Sequence, residues 1–503
     1  MAQSSKSIIV PGENCWRHEP ASRASVIVDA ENYFRYARRA MLKAKHQILL
    51  IGWDFDTRIT LDDDEPTEGP LHLGPFLSWL ANHRPDLHIY ILKWDLGAIK
   101  LLGRGSTLFR LARWMTQDRI SFRLDAQHPA GASHHQKILV IDDMFAFCGG
   151  IDMTGSRWDT RAHRDDDPGR RRPTTRRQYG PWHDATMAVE GPIAHALGEH
   201  ARLRWEEACG KPIPAPPVPA FDEDISKISA WPKGLPDTIR DRKLALSRTR
   251  GGFPGCEEVR EVERLFADMI GSATQRIYAE SQYFASRIIA EAILKQLEKP
   301  DGPEIVIINP KAADGWLEES VMGPARAELY NRLKAVDAQD RLRIYTPVTK
   351  GGEDIYVHAK IMIIDDRMMR VGSANFNNRS MGLDSECDLT FEAKGDGDDL
   401  CQTIAGLRAD LLAEHLGTEI ETVQAELDRS GSLITTIEAL RTSGRSLRPF
   451  TPPEFSEVEL QIARDQLLDP ESSGEPFERP ARPGLLTRIN ARLHGRHRHG
   501  DVR

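Results

Sequence analysis

The chain has 503 residues, 40% of them hydrophobic and 28% charged, with a net charge of −8. This composition excludes a disordered, collagen-like or disulfide-framework protein, no stretch approaches the roughly 18 apolar residues that span a bilayer, and the length suits about three domain-sized units. The acidic balance disfavours a general nucleic-acid binder, the opening residues lack the apolar core of a secretory signal, and Cys15, Cys148, Cys209, Cys256, Cys387 and Cys401 show no metal-ligand spacing and read as reduced thiols.

Residues 30–56 (AENYFRYARRAMLKAKHQILLIGWDFD) read as a helix running into an apolar strand, and 87–95 (LHIYILKWD) as a second strand. Asp62-Asp63-Asp64-Glu65 reads as a solvated loop, since its spacing is not that of a metal loop. A helical stretch and a short strand, ISFRL at 120–124, lead to residues 134–150 (HHQKILVIDDMFAFCGG). Here His135, Lys137 and Asp142 fit His-x-Lys-x-x-x-x-Asp, and the run ILVI suits a strand buried on both faces. Gly149-Gly150 and Asp152 follow. The insert 161–180 holds seven arginines and three consecutive aspartates. It is either a loop gripping anionic head groups near a site mouth or a solvated surface loop. Asp184 lies in PWHDATMAVEG, 181–191, and the five prolines from Pro212 to Pro219 mark a stiff linker.

The chain then repeats itself. Residues 267–284 again run from helix into strand, and 304–310 (EIVIINP) and 341–345 (RLRIY) read as strands. Residues 357–373 (VHAKIMIIDDRMMRVGS) hold the second motif, His358, Lys360 and Asp365. Gly372-Ser373, Asn375 and Glu386 stand where Gly149-Gly150, Asp152 and Asp184 stand in the first copy. Helical spacing continues at 404–417 and 420–429. Near the end, Leu485, Leu486, Ile489 and Leu493 share one helical face beside arginines, which fits an interfacial helix or a disordered basic tail. His494, His497 and His499 are metal binders only adventitiously, and Trp53, Trp94 and Trp158 read as core or pocket wall. Strands alternating with helices predict an α/β fold with a largely parallel sheet. The expected division is a first repeat over 1–209, a Pro-rich linker over 210–245, a second repeat over 246–400, C-terminal helices over 401–446, and a tail over 447–503 largely without regular structure.

Side chains two apart on a strand share a face. His135 with Lys137, and His358 with Lys360, therefore each present an imidazole and an ammonium together, a place for phosphate. Two such copies face to face suffice for displacement at a phosphodiester in two steps. One histidine attacks phosphorus; the other protonates the leaving oxygen and then deprotonates the incoming water or alcohol. The lysines stabilise the phosphoryl oxygens, so the chemistry calls for no cofactor and no metal. Each imidazole needs a carboxylate to orient its far nitrogen, and Asp184 and Glu386 are the candidates.

These residues resemble the phospholipase D superfamily, and above all its eukaryotic-type branch. The first copy is similar to that branch's pattern through His134–Asp142, Gly149-Gly150-Ile151-Asp152, Arg157-Trp158-Asp159 and Pro181-Trp182-His183-Asp184, and the second through residues 277–284 and 356–386. The resemblance covers roughly residues 30–417. It implies two pseudo-symmetric α/β repeats in one chain, the active site between them, and a C-terminal helical extension. It implies His135 as nucleophile and His358 as general acid and base, with Lys137, Lys360, Asn375 and Ser373 on the phosphate and Gly150 and Asp152 beside them. Asp142 and Asp365 belong to the same catalytic motif and hold strand and loop in place. The expected activity is hydrolysis of glycerophospholipids to phosphatidic acid, or transfer of the phosphatidyl group to an alcohol. Alternatives are a cardiolipin synthase-type transferase and a nucleic-acid phosphodiesterase. The expected partner is a phospholipid membrane surface, met peripherally by a cytoplasmic protein, with no nucleic acid. Non-classical export stays open. One chain carries a complete site, so a monomer is expected, a homo-oligomer remaining open.

Overall fold

The computed structural model describes residues 7–62, 68–95, 111, 113–114, 117–217, 229–313, 316–395, 397–453, 455 and 469–470. At its middle, strands β1 (Arg17–Val28) and β9 (Ile239–Arg250) pair antiparallel. After β1 come α1 (Ala30–Met41), β2 (Gln47–Gly52), α2 (Leu73–His83), β3 (His88–Trp94), β4 (Ile120–Asp125), β5 (Ile138–Ile141), β6 (Phe145–Gly149), β7 (Trp182–His183), β8 (Ala185–Glu190) and α3 (Pro192–Cys209). After β9 come β10 (Val259–Arg260), α4 (Glu261–Ser272), β11 (Arg276–Glu280), α5 (Arg287–Leu297), β12 (Glu304–Ile308), α6 (Trp316–Val336), β13 (Leu342–Val348), β14 (Tyr356–Val357), β15 (Ile361–Ile364), β16 (Met368–Gly372), α7 (Asn378–Gly382) and β17 (Glu386–Glu392). The chain continues through α8 (Asp399–Leu416), α9 (Ile420–Ser430), α10 (Leu433–Leu440) and β18 (Ser446–Pro449).

One sheet of 16 strands runs through both halves, in the order β18-β13-β12-β11-β15-β16-β17-β9-β1-β8-β6-β5-β2-β3-β4, with β10 on β9. Outward from β1 the strands are β8, β6, β5, β2, β3, β4; outward from β9 they are β17, β16, β15, β11, β12, β13. The directions match as well. β2–β3–β4 and β11–β12–β13 are parallel, and every other pair in the two series is antiparallel. The repeat in the sequence is thus a repeat in topology. The sheet is mixed rather than largely parallel, because tight turns at Asp142-Asp143 and Asp365-Asp366 fold each motif strand back on itself.

All four residues of β5 and all four of β15 are buried, as their apolar runs require. One face of the sheet is covered in the first half by α1 and α2, with Phe34, Phe76 and Leu80 in the core, and in the second by α4 and α5, with Phe266 and Ile293. The other face has a single core that draws on both halves, from Ile138 and Met187 to Ile361 and Leu389, beneath α3 and α8. The seam at β1 and β9 was not legible from hydrophobic pattern, since β1 contains Pro20 and is half-exposed and β9 opens with Arg240, Asp241 and Arg242. β9 also begins inside the stretch 210–245 expected as linker. Residues 218–228, Asp63–Glu65 and the tail helix at 485–496 with His494, His497 and His499 lie outside the described residues. Part of the tail is placed. β18 pairs with β13, and buried Asp469 accepts hydrogen bonds from the backbone of Asn378 and Arg379.

Asp142 and Asp365 sit at the turns ending the motif strands. Asp142 accepts from the amides of Lys45, His46 and Gln47 at 2.7–2.8 Å. Asp365 accepts from the amides of Thr274, Gln275 and Arg276. Each aspartate therefore fixes the start of the neighbouring strand, β2 or β11, at the end of the motif strand away from the histidine. Asp142→Ala leaves three amides without their acceptor and is expected to lower unfolding stability by about 2–3 kcal/mol in denaturant titration; an unchanged midpoint would show that the turn holds without it.

Candidate active site

Both motif histidines precede their strands in extended segments that reach across the seam. The His135 amide donates to the carbonyl of Ser385 at 2.9 Å, and the His358 amide to that of His183 at 2.7 Å. Each imidazole is thereby brought to the carboxylate that follows in the opposite half. His135 Nδ1 lies 3.1 Å from both Glu386 carboxylate oxygens, and His358 Nδ1 lies 2.7 Å from Asp184 Oδ2. The pairing is crossed: the second half orients the first half's histidine, and the reverse. The two rings face each other with centroids 6.4 Å apart.

Lys137 Nζ donates to His135 O at 2.6 Å and lies 3.2 Å from Asp152 Oδ2; Lys360 Nζ donates to His358 O. Each ammonium thus returns to its own histidine's backbone, as the two-residue spacing requires. Asp152 Oδ1 accepts from the amides of Trp53 and Asp54. The carboxylate therefore positions Lys137 rather than meeting substrate, where it would repel a phosphate.

Ser373 and Gly150 lie against the two orienting carboxyl groups. The Ser373 hydroxyl donates to Glu386 Oε2 at 2.5 Å, so it orients the carboxylate. Gly150 leaves room: a Cβ there would stand 2.2 Å from Asp184 Oδ1. Asn375 differs, since its buried Oδ1 has no hydrogen-bond partner among the described residues. Asp142 and Asp365, committed to backbone amides, act on strand position and not on the reacting groups.

Burial dominates the electrostatics. It holds His135 well below its ordinary value, helped by the Lys137 and Lys360 ammoniums, and holds His358 low with Lys360 and Arg157. It pushes Asp184 up and Glu386 up to about 8, and lowers Lys360. Burial thus works against the charged form of each of these groups, and each ring turns its Nδ1 to a carboxyl group.

Three contributors escaped the sequence reading. Ser380 donates to Glu386 Oε1 at 2.7 Å, and nothing in the sequence marks it. Trp182 stacks on Tyr356 at 4.6 Å and lies 5.2 Å from the His358 ring. Arg157 sits over Trp182 at 4.2 Å. The last two stand in the quoted RWD and PWHD stretches, which was the available signal. The insert divides: Arg161 pairs with Asp410 and Glu414, and buried Arg170 pairs with Asp159, while Arg171, Arg172, Arg176 and Arg177 are exposed. Trp53 stacks with Trp94 at 5.9 Å.

Gly150→Ala should lower kcat by about 10²-fold while far-UV circular dichroism stays native, because the methyl displaces Asp184 and with it His358. Wild-type turnover in that variant would mean that Asp184 does not set the ring.

Residues 266–405 match the protein-family model described as "Cardiolipin synthase, PLD-like domain". Phospholipase D A of Dictyostelium discoideum is 24% identical over 78% of this chain and 35% of its own length, and phospholipase D alpha 1 of Vigna unguiculata is 26% identical over 76% and 64%. The chain thus spans about a third to just under two thirds of the length of these curated relatives. Among solved structures, phosphatidylserine synthase of Haemophilus influenzae Rd KW20 shares the fold, with a TM-score of 0.51 at 14% identity over 89% of this chain and 94% of that one. Both motifs are complete and meet in one crossed site, and the chain is similar to the phospholipase D superfamily, with residues 266–405 matching a PLD-like domain.

Proposed function

We propose that the protein cleaves the phosphodiester of a glycerophospholipid by two successive displacements and passes the phosphatidyl group to water or an alcohol. The observation that carries this reading is the crossed pairing, which gives each of two facing imidazoles an oriented Nε2. His135 Nε2 attacks phosphorus, and the bond to the head-group oxygen breaks. His358, protonated in the presence of the phosphate anion, gives its Nε2 proton to that oxygen. In the second step His358 takes a proton from water or alcohol, the new oxygen bonds to phosphorus, and the bond to His135 breaks. Glu386 and Asp184 hold the two rings throughout, and Lys137 and Lys360 balance charge on the phosphoryl oxygens. Relatives named phospholipase D support a phospholipid substrate. The family description also favours a second reading, transfer to a lipid acceptor to give cardiolipin by the same chemistry. No described helix is long and apolar enough to cross a membrane, so the proposed lipid encounter is peripheral.

Lipid mass spectrometry on mixed phospholipid vesicles with a little ethanol decides among these. Phosphatidylethanol from wild type, reduced at least ~10³-fold in His135→Ala and His358→Ala, supports the reading; cardiolipin as main product supports the second; unchanged lipids contradict both. Profiles of kcat/KM against pH give a further check. The nucleophile must be neutral and burial lowers His135, so the acid limb should lie below pH 6.5. The phosphate grip needs charged Lys360, whose proton burial loosens, so the alkaline fall should come below the ordinary lysine value of 10.5 and move up in Lys360→Arg. A rate still rising through pH 10.5 would contradict this electrostatic order.

A further inference from the structure

Behind the Asp184–His358 pair lies a second cluster that the phosphodiester chemistry does not use. Asp29 closes β1, His163 comes from the insert, His183 from β7 and Glu414 from α8, and all four are buried. Their inward atoms converge on one point. Glu414 Oε1 is 2.9 Å from His183 Nδ1 and 3.1 Å from His163 Nε2. The Asp29 oxygens are 3.4 Å from His163 Nε2 and 3.5 Å from His183 Nδ1. One ligand atom from each of the four lies within 4.8 Å of the other three, within the span of a tetrahedral site whose bonds of about 2.0–2.1 Å give edges of about 3.3–3.4 Å.

Two further observations point to a ligand. Asp29 Oδ2 is fully buried yet has no hydrogen-bond partner. Both imidazoles also have their outward nitrogen on a carboxylate, His163 Nδ1 on Asp159 at 2.9 Å and His183 Nε2 on Glu280 at 2.7 Å. That carboxylate–histidine pattern is how metal-binding imidazoles are oriented and made more basic. Asp159 is in turn held by Arg170, and Glu280 by Tyr278 and His415.

We propose that Asp29, His163, His183 and Glu414 form a closed site for one tetrahedral divalent cation of the zinc class. Two carboxylates balance its charge, and each imidazole keeps one proton, on the outward nitrogen. Four protein ligands leave no open position, so the cation is structural and takes no part in the displacement steps. It ties the insert and α8 to β7, whose His183 carbonyl holds the His358 amide. The alternative occupant of the same space is a pair of protons, each imidazole donating from both nitrogens.

The full chain, with His494, His497 and His499 changed to Ala to remove adventitious binders, is purified without a metal column after growth with zinc, and its metal is measured by inductively coupled plasma mass spectrometry. About one zinc per chain is expected, with cobalt(II) substitution giving the visible absorption of a tetrahedral site. His163→Ala and Glu414→Gln should lose the metal. Should either fail to fold, the cobalt spectrum of the parent chain decides. Folded parent chain holding below about 0.1 equivalents of zinc and giving no cobalt band would overturn the proposal and establish the protonated network, as would full metal retention in His163→Ala. None of these readouts depends on lipid turnover, so they stand or fall apart from the proposed activity.

Discussion

Each motif histidine is held by a carboxylate from the other half of the chain, and the rest of the structure serves that exchange. A ring needs its Nδ1 partner within hydrogen-bond reach, 2.7 Å for His358 and 3.1 Å for His135. Neither half can satisfy this alone. The antiparallel β1–β9 seam sets the two halves in register, and the amides of His135 and His358 lock onto the carbonyls just before Glu386 and Asp184. The common core beneath α3 and α8 makes the seam rigid, because interiors packed to crystal density transmit displacement rather than absorb it.

Burial of this shared site has an electrostatic consequence. Two lysines, two histidines and two carboxylates lie together out of water, so desolvation works against every charged form at once. Imidazoles shift down, carboxyls shift up, and Lys360 shifts down. The cluster around His183 works from the opposite side: it adds no reacting group but fixes the backbone from which Asp184 projects.

The sequence was informative where chemistry is local. His-x-Lys spacing in an extended segment brought imidazole and ammonium together, and the repeat announced a two-part site. It was silent where the answer depended on long-range register. That Glu386 serves His135 and Asp184 serves His358 follows from a seam whose strands carry a proline and many charges rather than a plain apolar pattern. Equivalent positions also diverged. Gly150 and Ser373 occupy the same place in their copies, yet glycine there makes room for Asp184, while the Ser373 hydroxyl holds Glu386. Asp152 and Asn375 likewise part, one neutralising Lys137 and the other holding a carboxamide oxygen with no hydrogen-bond partner among the described residues. Motif membership identified these residues; only the three-dimensional partners distinguished positioning from contact.

The central claim is that two facing imidazoles divide the work, with His135 forming the bond to phosphorus. The most direct measurement is rapid quenching of a single turnover on phospholipid vesicles, followed by mass spectrometry of the peptides containing His135 and His358. A phosphatidyl adduct on His135, formed and lost at rates matching turnover, is the expected result. An adduct on His358 instead, or full turnover with no adduct on either ring, would contradict it.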